Sequence, residues 1–163
     1  MNHISYISIG SNLGDRIFNC NTAIKMLANF SIIQKVSSFY ETEAWGYDDH
    51  CQYINAVLKL KTKLHYKELL KSLQLIENKM GRNKKNNNIY ESRIIDLDIL
   101  FFDNLIIDEK DIVIPHPQLY YRNFVLKPFF EIAPNFKCPL KKKNIYTLLN
   151  ISDDKNKVEI YAH

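Results

Sequence analysis

Residues 93–102 read Arg-Ile-Ile-Asp-Leu-Asp-Ile-Leu-Phe-Phe, with two aspartates set two positions apart in an otherwise apolar stretch. Side chains of a strand alternate between its faces. Asp96 and Asp98 therefore share one face, with Ile95, Leu97, Ile99 and Phe101 on the other. A buried, unpaired carboxylate costs several kcal/mol or takes up a proton, and two of them about 7 Å apart repel each other. A fold that accepts this strand must set a divalent metal, an arginine or solvent beside the pair.

The rest of the chain supplies a setting for such a strand. Ile4–Ile9 is expected to be a short strand, closed by the turn Gly10-Ser11-Asn12-Leu13-Gly14-Asp15. A helix follows, with residues 17, 20, 24, 27 and 28 on its apolar face. Ser31–Tyr40 is expected to be a second strand and Gln52–Lys61 a third, the latter with Ile54, Ala56, Leu58 and Leu60 on one face. From His65 to Met80 the apolar spacing predicts a second helix, stopped by Gly81. Polar loops span 41–51, which holds the single Trp45, and 82–92. After the aspartate strand, Leu105–Ile107 and Ile112–Ile114 suggest a hairpin, and helical turns follow around Gln118–Arg122 and Phe124–Ile132. The last thirty residues look like a loosely patterned cap.

Strand, helix, strand, strand, helix, strand is the order of a split βαβ unit. The expected fold is therefore an α/β (α+β) sandwich: a ferredoxin-like βαββαβ core with a mainly antiparallel sheet, plus C-terminal helices and a hairpin. At 163 residues, without repeat or linker, the chain is expected to form one domain over 1–163. Its apolar runs fall short of a membrane span, and Met-Asn-His-Ile-Ser-Tyr is no signal peptide, so a cytoplasmic location is expected. Three widely spaced cysteines fit neither a disulfide framework nor a zinc site. A net charge of +4 is weak grounds for a nucleic-acid partner. Of the 22 basic residues only Arg16, Arg82, Arg93 and Arg122 are arginines, and Arg82 and Arg93 bracket the loop that leads into the aspartate strand. A guanidinium grips phosphate with two parallel hydrogen bonds, which lysine cannot do.

Two same-face carboxylates with no nearby His or Cys make an all-oxygen donor set, which suits Mg²⁺ over zinc or copper. Such an ion completes its shell with water and substrate phosphate. Arg82, Arg93, Lys84 and Lys85 could neutralise a triphosphate, although Asp96 and Asp98 could equally be a solvated or Arg93-paired strand end. The Gly10–Gly14 turn could cradle an anion through its amides, or simply precede a helix capped by Asn12 or Asp15. Tyr53, Asn55, Trp45 and Phe124 could form an aromatic slot with one amide to read a flat heterocycle. His116, between two prolines, is either a phosphate donor or an ordinary loop histidine.

Together these segments resemble the 6-hydroxymethyl-7,8-dihydropterin pyrophosphokinase family of the folate pathway. The resemblance runs from Gly10–Gly14 through Ser37–Thr42, Tyr53–Ala56, Gln74, Glu77, Gly81-Arg82 and Arg93–Leu100 to Pro115-His116-Pro117 and Arg122–Pro128. It implies transfer of the β,γ-pyrophosphoryl unit of ATP to the hydroxymethyl oxygen of 6-hydroxymethyl-7,8-dihydropterin, releasing AMP. It further implies that Asp96 and Asp98 hold two Mg²⁺ ions and that Arg82 and Arg93 support the transferring group. Gln74, Glu77, Lys84, Tyr90, His116 and Arg122 would bind ATP, while backbone at Ile99, Asp111 and Val113 would read adenine. The pterin would stack between Tyr53 and Phe124, its edge read by Asn55 and by the backbone from Thr42 through Glu43 to Trp45. The loop reads Ile89-Tyr90-Glu91-Ser92 where the family often has Trp-Gly-Pro, so Tyr90 or Ile89 stands for that aromatic. Lys84 replaces a second loop arginine, and Asp111 stands where some relatives have arginine. A monomer with small-molecule substrates, no nucleic acid and no membrane is expected.

Two rivals are weaker. A Mg-dependent nucleotidyltransferase also joins a Gly-Ser turn to an Asp-x-Asp strand, but normally close together, whereas roughly eighty residues separate them here. An RNA-binding ferredoxin-like module would carry aromatics on its central strands, where this chain has aspartates that repel phosphate.

Overall fold

Alternating apolar residues build a sheet of antiparallel ladders, with helices on both of its faces. The computed structural model describes residues 1–42, 52–81 and 92–162. Strand β1 (His3–Ser11) pairs with β4 (Tyr53–Thr62) on one side and with β5 (Asp96–Phe102) on the other. Strand β2 (Ser31–Val36) lies against β4, which gives the order β5-β1-β4-β2 expected of the ferredoxin-like core. Helices α1 (Arg16–Leu27) and α2 (Tyr66–Lys79) cover one face, on a core that includes Ile7, Ile9, Leu58, Leu73, Leu97 and Ile99. Gly81 follows the second helix with φ +99, the left-handed turn predicted for it.

Several boundaries differ from the expected ones for identifiable reasons. The segment 31–40 is two strands, because the chain leaves β4 at Ser37–Ser38 and returns as β3 (Tyr40–Thr42). Glu131 holds this break: its carboxylate accepts from Ser38 N–H (2.8 Å), Ser38 Oγ (3.0 Å) and Tyr40 OH (2.7 Å). Burial of the Tyr40 hydroxyl beside that carboxylate raises its pKa. On α1 the buried residues are Cys20, Ala23 and Leu27, and Ala28 is exposed at the C-cap. The first hairpin strand, β6 (Ile107–Glu109), begins two residues later than Leu105–Ile107 suggested, and the second, β7 (Ile112–Ile114), lies where it was expected.

The largest correction concerns Phe101. Tyr6 pairs with Phe101 but its neighbour Ile7 pairs with Ile99, so Leu100 is an extra, bulged residue. The bulge reverses the alternation, and Phe101 lies on the aspartate face with Tyr6, opposite to the face expected for it.

A 3₁₀ turn (Leu119–Tyr121) leads into α3 (Asn123–Ile132), which packs on β4 beside the short α4 (Ile145–Asn150). Together they bury a second core of Tyr6, Val57, Leu100, Phe101, Leu126 and Phe129. Burying one such aromatic stabilises by about 1.5–3 kcal/mol. The last residues are more ordered in pattern than their sequence suggested, because β8 (Val158–Ile160) joins the main sheet against β3. Among the described residues no helix is long and apolar enough to cross a membrane.

Candidate active site

Three neighbouring strands set out the candidate site on the α3 face. Asn55 on β4 pairs with Gly10 on β1, and Gly10 pairs with Asp96 on β5. One step along, Val57, Ser8 and Asp98 form the next row. Cross-strand partners share a face and strands lie about 4.8 Å apart, so roughly 10 Å of sheet separates Asn55 from Asp96. Between them β1 offers only glycine and serine, which leaves a low floor. A Cβ at position 10 would stand 2.9 Å from Asn55 Oδ1, so only glycine fits without displacing that amide.

At the carboxylate end, Arg93 Nη1 donates to Asp96 Oδ1 at 3.1 Å, with both side chains about one-third exposed (28% and 32%). The Gly10–Gly14 turn braces this arginine. Asn12 N–H donates to the Arg93 carbonyl (3.1 Å), and Arg93 N–H donates to Asn12 Oδ1 (2.6 Å). Asp15, not Asn12, caps α1, accepting from Phe18 N–H at 2.9 Å. Sequence reasoning missed the bracing role of Asn12, although the turn itself was visible.

Two α2 residues proposed as ATP ligands part company. Gln74 is exposed. Glu77 is buried (4% exposed), and its Oε1 accepts from Leu97 N–H at 2.8 Å. It thus satisfies the outer edge of β5 midway between the two aspartates. Ile99 follows on that edge strand, against which β7 packs. Asp111 and Val113 are exposed on the hairpin, which Glu109 ties to α2 through Tyr66 OH (2.8 Å) and Lys67 Nζ (2.7 Å).

His116 enters from the other side, its N–H bonded to the Leu100 carbonyl at 3.0 Å. Its pKa falls from 6.5 to about 4, chiefly through burial and then through the Arg122 charge, against an opposing pull from Asp96. The ring is therefore neutral at neutral pH. Its Nδ1 accepts from Gln118 N–H (3.2 Å), which assigns the remaining ring proton to Nε2. Because the native ring binds a proton less readily than the unfolded one, its contribution to stability is complete above pH 6.5 and falls as the pH drops toward about 4. His116→Asn is expected to flatten that part of the acid response. The check is urea unfolding at neutral pH and near about pH 4.5, without added magnesium, and an equally steep response in the variant would refute it.

Arg122 lies with its guanidinium carbon 5.6 Å from the centre of the Phe124 ring at the start of α3. Across the sheet, Asn55 Nδ2 donates to Thr42 Oγ1 at 3.0 Å, and Thr42 pairs with Tyr53. The structure thus gathers Arg93, Asp96, His116 and Arg122 at one end and Thr42, Tyr53 and Asn55 at the other. Arg82, Lys84, Tyr90, Glu43 and Trp45 lie outside the described residues.

Residues 6–134 match the family described as 7,8-dihydro-6-hydroxymethylpterin-pyrophosphokinase. The chain is 42% identical over 135 residues to the 2-amino-4-hydroxy-6-hydroxymethyldihydropteridine pyrophosphokinase of Bacillus subtilis, covering 82% of this chain and 80% of that one. It is 39% identical over 138 residues to the enzyme of the same name from Aquifex aeolicus, with 85% of each chain covered. The fold is similar to crystalline Plasmodium falciparum HPPK-DHPS wild type with pteroate (TM-score 0.74, 15% identity), covering 92% of this chain and 42% of that much longer one. The chain therefore belongs to the 7,8-dihydro-6-hydroxymethylpterin-pyrophosphokinase family, which transfers pyrophosphate from ATP to hydroxymethyldihydropterin in folate biosynthesis.

Proposed function

We propose that this transfer takes place across the low floor between Asn55 and the two aspartates, with the pterin at the Asn55 end and the ATP phosphates at the other. The supporting observation is the row Asn55–Gly10–Asp96, in which two groups of opposite purpose face the same way with no bulky side chain of β1 between them. The donor set fits Mg²⁺: two partly exposed carboxylates on one strand face, with no histidine or cysteine in the row. Asp96 and Asp98 would hold two such ions, which when bound neutralise phosphate charge and orient its oxygens.

The chain's own groups do the remaining work. Arg93, braced by Asn12, and Arg82 present planar donor forks to the transferring group. His116 donates from Nε2 as a neutral imidazole, adding a hydrogen bond without adding charge. Arg122 and Lys84 neutralise the triphosphate, with Gln74 and Tyr90 lining the nucleotide. Backbone at Ile99, Asp111 and Val113 reads adenine. Glu77 acts indirectly, by holding the edge of β5. Tyr53 and Phe124 stack on the pterin, while Asn55, Thr42, Glu43 and Trp45 read its edge. Positioning and charge neutralisation supply the rate, because attack at the β-phosphorus needs that atom held against the pterin hydroxyl. We read 1–163 as one domain and a monomer, working in the cytoplasm where its co-substrate ATP is available.

The protein is expected to make AMP from ATP only when 6-hydroxymethyl-7,8-dihydropterin and Mg²⁺ are both present. Chromatography of the nucleotides after incubation checks this. ADP as product, or full turnover in the presence of a chelator, would sink the reading.

A further inference from the structure

The match to the family ends at residue 134, yet residues 154–161 are bonded to both sides of the proposed pterin slot. Helix α3 receives no side-chain cap from its own N-cap residue, Arg122. The cap comes from 31 residues beyond Asn123, where Asp154 Oδ2 accepts from Asn123 N–H at 2.7 Å and the Asp154 carbonyl accepts from Asn123 Nδ2 at 3.0 Å. A carboxylate at that end of a ten-residue helix satisfies an otherwise orphaned donor and complements the helix dipole. Asn123 stands between Arg122 and Phe124, so whatever fixes it fixes them.

The same segment is sewn to the opposite wall. Strand β8 pairs with β3, placing Val158 opposite Thr42. The Val158 carbonyl also accepts from Lys127 Nζ of α3 at 3.0 Å, and Tyr161 N–H donates to the Phe39 carbonyl at 2.8 Å. The strap therefore joins the helix bearing Phe124 to the strand bearing Thr42, which itself holds Asn55.

We propose that Asp154 is a positioning residue for the pterin, fixing Phe124 at a set distance from the Thr42–Tyr53–Asn55 wall. This rests on the assignment of the pterin to that slot. In the full chain, Asp154→Ala is expected to raise KM for the pterin by up to roughly fivefold, the ratio that about 1 kcal/mol of lost capping gives when all of it is transmitted to the slot. Because Arg122 adjoins the same cap, KM for ATP is expected to rise too, but by a smaller factor than KM for the pterin. Asp154 Oδ1 also accepts from Asn156 N–H at 3.0 Å, so Asp154→Asn keeps only one of the two acceptor oxygens and is expected to restore the pterin KM in part. A fall in the urea midpoint of Asp154→Ala with an unchanged pterin KM would reduce the residue to a structural cap and overturn the proposal. Phe124→Ala, measured alongside, separates the two layers. If it too leaves the pterin KM unchanged, the slot itself is wrongly assigned; if it raises KM while Asp154→Ala does not, only the positioning role falls. Should Asp154→Ala fold poorly, Lys127→Met cuts the bond from the helix to the Val158 carbonyl of the same strap and carries the same expectation, and an unchanged pterin KM there is equally fatal.

Discussion

Asp98→Ala is expected to lower kcat by at least about a thousandfold while leaving folding stability within about 1 kcal/mol of the parent. The catalytic side follows from charge. Transfer at a β-phosphorus leaves a phosphate-rich transition state whose negative charge must be neutralised in place, and the two aspartates are the only carboxylates on that strand face. Losing one removes half the donor set that would hold the metal. The stability side follows from position. Asp98 is partly exposed, its backbone remains in the ladder with Ser8, and its removal relieves repulsion from Asp96. Steady-state AMP formation and urea unfolding of the same preparation check both halves. More than about a tenth of parental turnover would rule out a metal-holding role for Asp98.

Glu77→Ala should do the opposite, damaging the fold first. Its buried carboxylate accepts the Leu97 N–H on the outer edge of β5, and the alanine leaves that buried donor without its acceptor and a void where the side chain was. The two effects together are expected to cost about 2–4 kcal/mol. Because Leu97 sits between Asp96 and Asp98, turnover of the surviving folded fraction should drop as well. Glu77→Gln keeps an acceptor in place and should cost only about 1 kcal/mol. Denaturant midpoints of the two variants give the comparison. Equal midpoints for Ala and Gln would mean that the bond to Leu97 contributes nothing.

What could be read from the chain was whatever repeats locally. Alternation marked β1, β4 and the aspartate strand, helical spacing marked α2, and their order implied the sheet that the structure contains. What could not be read depends on residues far apart in sequence. Phe101 changed face because a single-residue bulge in β5 is registered against β1, almost a hundred residues earlier. The break at Ser37–Ser38 is stabilised by Glu131, 93 positions on from Ser38, so no local pattern announces it. Glu77 looked like a polar helix residue available to a ligand; only the edge position of β5 makes it a backbone acceptor. The candidate site follows the same division. Asp96, Asp98, Arg93 and Asn55 were visible as residues out of place in strands or beside them. Gly10, Asn12 and Asp154 act by supporting others, which leaves little trace in a sequence.

The bulge at Leu100 also draws a hydration boundary. Strict alternation would keep Leu100 and Phe101 on opposite sides of the sheet. With the extra residue they lie next to each other in the same core, immediately beyond Asp98. A single strand thus passes from two carboxylates that need water or a counter-ion to a double layer of greasy side chains within three residues. That abrupt transition confines solvent to the aspartate end of the face, so the phosphate chemistry proposed there would proceed beside a dry core without wetting it.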